Sequence, residues 1–271
     1  MGGLHIRLFV LLNEEEPDST FYHIALMMLK HMDALQSISI GELSIICNVS
    51  KSTISKFIRK IGYEDFADFR YAATFMDNKY RNDFNYVDNV MRFMESRSLE
   101  AYLLNVMQDI TATWHSIDWN AVDRLVKDLA EHEKVAAFGY MFSETAALDL
   151  QIKLGYNRKF IITKQNDLKQ DEYIEHAGAD TLIIIFSDSG EYLYRYRTIY
   201  DFTNKHIFDR TKAKIVFITS NPEVEKDPRV SYCVRYQKTT ELCTHRTTYG
   251  ILTDLIAFRY RQFTRQERES G

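Results

Sequence analysis

The stretch Thr181–Tyr192 reads TLIIIFSDSGEY. Its first half is a short, unbroken apolar run rich in β-branched residues. A run of that length without alternation predicts a strand buried on both faces, and hence a parallel sheet. The run ends in a hydroxyl-rich turn with a glycine, and a helical segment is expected beyond it. An α/β protein seats a phosphate in this way, on amides and hydroxyls at a helix N-terminus. Two acids complicate that reading. A carboxylate a few ångströms from a phosphate costs about 1–4 kcal/mol, depending on exposure. The cost falls toward nothing if Asp188 points to solvent, where screening is strong. Glu191 in a first helical turn can serve the helix dipole without any ligand.

Four similar runs surround this one: VAAFG (Val135–Gly139), KFIIT (Lys159–Thr163), KIVFITS (Lys214–Ser220) and YCVRY (Tyr232–Tyr236). Segments of helix length and pattern lie between them. Right-handed crossovers then give a three-layer α/β/α sandwich with a five-stranded parallel sheet. The chain before residue 120 has a different rhythm. In FYHIALMMLKHM, Ile24, Met27, Met28 and His31 follow helical spacing, and Asp18 or Ser19 can cap that helix. The expected class is therefore α + α/β. The expected division is an all-helical domain over 1–77, a helical linker over 78–118 and the α/β domain over 119–271.

The 271 residues suffice for two ordinary domains, and 45% hydrophobic residues is normal for globular cores. The net charge of −4 points to no polyanion partner for the whole chain, so any such claim must rest on a local patch. Cys47, Cys233 and Cys243 form no CxxC pair and read as reduced thiols, with no metal site and no cofactor expected. The opening MGGLHIRLFVLLNEEEP has a short apolar run that ends in three glutamates. It reads as a first helix rather than a signal peptide. No run approaches the length of a membrane span. A cytoplasmic protein without a membrane partner is expected.

Positive charge is concentrated in one place. Between Gln36 and Ile61 the bases are Lys51, Lys56, Arg59 and Lys60, against one acid, Glu42. Ser39 can cap a short helix whose Leu43 and Ile46 face inward. Asn48 suits a left-handed turn, Val49 plugs the core, and Ser50 caps a second helix, KSTISKFIRKI, stopped by Gly62. Ile54, Phe57, Ile58 and Ile61 form the buried stripe of that helix. Lys51, Ser52, Thr53, Ser55, Lys56 and Arg59 lie on its other face. Short hydroxyls let a helix approach base edges while the bases neutralise phosphates. The plainer reading is a three-helix bundle with a solvated basic face.

From Asp18 to Thr74 the sequence resembles the N-terminal domain of RpiR-type transcriptional regulators. The carriers are Glu42-Leu43-Ser44, Val49-Ser50 with Thr53, Lys56-Phe57 with Ile61-Gly62, and Tyr63 with Phe66 and Phe69. Lys56 stands where the family has arginine, keeping charge without the forked geometry. The resemblance implies DNA-binding by the residues named above. It also implies a C-terminal sugar-isomerase (SIS) domain, a double-stranded palindromic operator, and a homodimer or dimer of dimers. Its default effector is a phosphorylated sugar or related metabolite.

Two turns carry that ligand in the family. The first has the form G-x-G-x-S and here is Gly139-Tyr140-Met141-Phe142-Ser143. Met141 replaces the second glycine, which predicts a wider or side-chain-filled turn. Ser143 can also be a plain N-cap. The second has the form S-x-S-G-x-T/S, with Ser187, Ser189 and Gly190 matching and Tyr192 in the last place. Thr219 and Ser220 are rim positions by analogy. These departures imply a modified or silent pocket. Two other functions stay open. A sugar-phosphate isomerase would need a base among Glu144, Glu191, Glu241 and His245, of which Glu241 and His245 share a helical face. An interaction protein would carry a non-functional sugar site.

Overall fold

A computed structural model describes residues 3–74, 86–194, 206–242 and 244–270. The chain divides into two compact units, one made chiefly of the residues up to 85 and the other chiefly of those from Tyr86 onward.

The first unit is helical: α1 (Gly3–Glu14), α2 (Thr20–Lys30), α3 (Ile40–Ile46), α4 (Lys51–Lys60) and α5 (Phe66–Thr74). Local chemistry sets the starts. Ser19 accepts from the Tyr22 amide, Ser50 accepts from the Thr53 amide, and Ser39 with Glu42 forms a reciprocal capping box. Asn48 turns the chain at φ +50°, a backbone conformation asparagine tolerates better than most residues. Leu43, Ile54, Phe57 and Ile58 are fully buried with Leu8, Ile24, Met28 and Phe69 in one core.

The second unit opens with a π-helical turn (Val87–Met91) that runs into α6 (Arg92–Ser96), followed by α7 (Leu99–Ser116) and α8 (Trp119–Glu131). The α/β pattern follows: β1 (Lys134–Gly139), α9 (Phe142–Gly155), α10 (Asp167–His176), β2 (Thr181–Phe186), α11 (Ile207–Arg210), β3 (Lys214–Thr219), β4 (Tyr232–Arg235) and α12 (His245–Ser270). The sheet order is β1-β2-β3-β4, all parallel. Alternate residues enter different cores. Leu182, Ile184 and Phe186 pack with α8, α9 and α12, whereas Ile183 and Ile185 pack with Ile174, Tyr192 and Phe208. That is the expected sandwich.

The sheet has four strands rather than five. Lys159–Thr163 meets β1 only through Ile162, whose amide donates to the Val135 carbonyl and whose carbonyl accepts from Ala137. Side chains hold the segment on either side of that bridge: Gln151 Nε2 donates to the Ile161 carbonyl and Gln170 Nε2 to the Lys164 carbonyl. The segment expected to be helical over Tyr192–Phe208 lies mostly outside the described residues. Its described ends form a 3₁₀ turn (Glu191–Leu193) and α11. Cys47 and Cys233 are buried and unbridged, and Cys243 lies outside the described residues. Among the described residues no helix is long and apolar enough to cross a membrane.

Candidate functional site

The face of α4 expected to meet DNA is open. Lys51, Ser52, Lys56 and Arg59 are exposed, with Thr53 and Ser55 half-buried beside them. Ser50 Oγ lies 2.8 Å from Ser52 Oγ and 2.9 Å from Thr53 Oγ1, so the hydroxyls knit the first turn. Ser55 donates to the Lys51 carbonyl. Lys60 is held elsewhere, 2.8 Å from Glu15 and over the Phe21 ring. It is tied to the scaffold, while Lys56 and Arg59 stay exposed.

In the second unit the two expected turns meet at the carboxyl ends of the strands, because Gly139 pairs with Phe186 and Phe186 with Ile218. Gly139 must lack a side chain, since a Cβ there would lie 2.6 Å from the Ser143 backbone. Met141 sits at φ 54°, ψ −119°, a conformation suited to glycine. Thus the turn keeps a glycine-like backbone and carries a side chain on it, instead of widening. Ser143 is not the N-cap. Met141 holds that position without a side-chain bond, and Ser143 is buried beside the Tyr249 hydroxyl.

The second turn is closed on itself. Ser187 Oγ accepts from the Tyr192 amide at 3.3 Å and Ser189 Oγ from the Glu191 amide at 3.4 Å. Gly190 adopts φ +78°, which lets the chain reverse. Thr219 is fully buried, donating to the Asp188 carbonyl and accepting from the Asn221 amide. Glu191 lies in a 3₁₀ turn of three residues, too short for the dipole role expected of it.

Asp188 does not point to solvent. Its carboxylate accepts from Tyr236 Oη at 2.5 Å, Lys238 Nζ at 2.6 Å and Ser220 Oγ at 2.7 Å. Burial, with Tyr249 and Asp188 nearby, pushes the Tyr236 phenol well above its ordinary range and keeps it a donor. Tyr192, in the place of the family's last hydroxyl residue, is buried and stacks on Tyr140 at 4.3 Å between ring centroids. Its hydroxyl donates to Gln170 Oε1, and Gln170 Nε2 donates to the Gly139 carbonyl. Tyr192, which departs from the family pattern, therefore packs against the bulky Tyr140 of the first turn.

Sequence reasoning missed Tyr236, Lys238 and Gln170, which no spacing links to the turns. It also missed Asp109 of α7, buried and accepting from Thr239, Thr240 and Thr244. Asp109 thus ties down the bend at Thr239 and Thr240, and α12 starts after it, at His245. Glu241 sits in the preceding bend, so no helical face joins it to His245, whose side chain is outside the described residues. Burial pushes the Glu144 carboxyl up to about 7. Two cavities among the described residues lie elsewhere. One of about 670 Å³ opens by Lys134 and Thr181 at the amino ends of the strands, and one of about 510 Å³ lies between α6, α7 and the loop before α12.

Known proteins resemble both units. Residues 14–76 match the helix-turn-helix domain of the rpiR family. An uncharacterized HTH-type transcriptional regulator in the aarA 3′ region of Providencia stuartii is 22% identical over 70% of this chain and 67% of its own. The HTH-type transcriptional regulator HexR of Escherichia coli K12 is 26% identical over 54% of this chain, a match spanning about half (51%) of HexR. The Vibrio vulnificus NanR protein, solved in complex with ManNAc-6P, shares the fold across 98% of this chain and 94% of its own, with a TM-score of 0.52 at 15% identity. Residues 14–76 of this chain thus match the helix-turn-helix domain of the rpiR family, and the same polypeptide carries an α/β unit whose fold NanR shares.

Proposed function

We propose that the chain is a DNA-binding transcriptional regulator of the RpiR type, acting on genes of sugar or phosphosugar metabolism. The observation that carries this is the capped turn of α3 and α4, which leaves Lys51, Ser52, Lys56 and Arg59 exposed on one helix while Lys60 is tied to the scaffold. In this reading residues 1–77 bind the major groove of a palindromic operator, 78–118 connect, and 119–271 sense a small metabolite. The effector class is a sugar phosphate or a relative, taken up near Ser143, Ser187, Ser189, Gly190 and Thr219. Two-fold operators call for a two-fold protein, so a homodimer is part of the proposal. Leu99, Leu103 and Met107 support it, as an exposed apolar stripe spaced four apart along α7.

An isomerase reading has less support. Glu144 and Glu191 flank the closed turns, and Glu241 lies in a separate bend. The relatives matched in sequence are named as transcriptional regulators.

The test is footprinting and salt-dependent binding to the operator. Lys56→Ala with Arg59→Ala removes two phosphate contacts and lowers the slope of log affinity against log salt by about 2. Lys60→Ala leaves the slope unchanged. Equal slopes for all three proteins refute the assignment of α4.

A further inference from the structure

Side chains from two separate stretches of chain converge on the Asp188 carboxylate. Ser220 comes from the end of β3, Tyr236 from the end of β4, and Lys238 from the loop before α12. Two hydroxyls and an ammonium are the donor set that a phosphoryl or carboxyl oxyanion needs. The side chain of Asp188 is 11% exposed and that of Lys238 28%, so the pair is largely withdrawn from water. The anion they surround belongs to the chain itself. Beside it, the Tyr140–Tyr192 stack fills the space between the two turns.

We propose that this cluster is a built oxyanion site whose resident ligand is Asp188, so that the side chain acts as an internal competitor of phosphate monoesters. A phosphate and Asp188 cannot share the same three donors. An incoming dianion must displace the carboxylate from Lys238 or meet its charge at close range. Wild-type protein then takes up phosphate poorly, and shortening residue 188 opens the site. The inference rests on the reading of the strand ends as the effector site; it is independent of how α4 meets DNA.

The experiment titrates inorganic phosphate, and separately a hexose 6-phosphate, into wild-type protein, Asp188→Ala and Asp188→Ser. Binding is read by calorimetry and thermal shift, against chloride at matched ionic strength. Both variants bind phosphate at least about tenfold more tightly than wild type, and adding Lys238→Ala to either removes the gain. If phosphate alone gives the gain, the site is an oxyanion site; if only the sugar phosphate does, the sugar contributes as well. Both outcomes support the competitor role. Should a variant fail to fold in chloride, its recovery in phosphate supports the proposal, and recovery in neither refutes it. Wild type binding as tightly as folded variants, or folded variants that bind neither phosphate nor the sugar phosphate, overturns it. Operator binding by the same wild-type preparation is measured alongside, so failure here leaves the DNA reading intact.

Discussion

Asp109 offers the sharpest test of how α7 holds the site. Its carboxylate is fully buried, and among the described residues its hydrogen bonds go to one loop. Oδ1 accepts from the Thr239 amide at 2.7 Å, the Thr240 amide at 3.0 Å and Thr239 Oγ1 at 3.1 Å. Oδ2 accepts from Thr240 Oγ1 and Thr244 Oγ1, both at 2.5 Å. The loop begins one residue after Lys238, the partner of Asp188. In Asp109→Ala the hydroxyls can rotate to other acceptors, but the two amides cannot. Each buried amide left unpaired costs about 1–3 kcal/mol, and the lost charge-assisted bonds bring the expected loss to about 3–5 kcal/mol. Asp109→Asn keeps one acceptor oxygen for the amides and loses about half as much. The assay is urea denaturation followed by tryptophan emission. Both tryptophans of the chain, Trp114 and Trp119, lie in the second unit with ring centroids 5.5 Å apart, so the signal reports that unit. A loss below about 1 kcal/mol for the alanine variant, or an asparagine variant no better than alanine, refutes this account.

Three further outcomes are expected. The folded unit holds a proton on Glu144 up to about pH 7, whereas the unfolded chain releases it near 4.5. Stability therefore falls as pH rises through that window and levels off above it. Allowing for partial solvent access, the fall is about 1–2 kcal/mol, and Glu144→Gln abolishes it; the same pH profile in both proteins sinks the idea. Met141→Gly relieves roughly 1–3 kcal/mol of backbone strain against an entropic cost of about 0.5–1 kcal/mol, so it is neutral to stabilising. Met141→Ala keeps the strain and must be the less stable of the two by thermal melting. Ser39→Ala removes the capping box of α3 and costs the N-terminal unit about 1 kcal/mol. Far-ultraviolet circular dichroism detects that loss while tryptophan emission holds its midpoint.

Much of this protein is legible in its sequence, for reasons that are local. Continuous apolar runs separated by helical segments specify a parallel sheet covered on both faces, because only burial on both sides tolerates them. Ser19, Ser39, Ser50, Asn48 and Gly62 mark helix ends through bonds and backbone angles within a few residues of themselves. The spacing of Ile54, Phe57 and Ile58 fixes which face of α4 is left for a partner. Other features depend on atoms far apart in the chain. The strand expected at Lys159–Thr163 shrinks to one bridge, and around it the chain is held by Gln151 on the Ile161 carbonyl and Gln170 on the Lys164 carbonyl. The bend that carries Glu241 ahead of the last helix is held by Asp109, some 130 residues earlier, through the Thr239 and Thr240 amides. The sequence placed a carboxylate in a phosphate-type turn and left its direction open. Only the tertiary structure aims Asp188 at Lys238, Tyr236 and Ser220, since long-range packing alone brings the ends of β3 and β4 and the following loop within hydrogen-bond reach of one side chain.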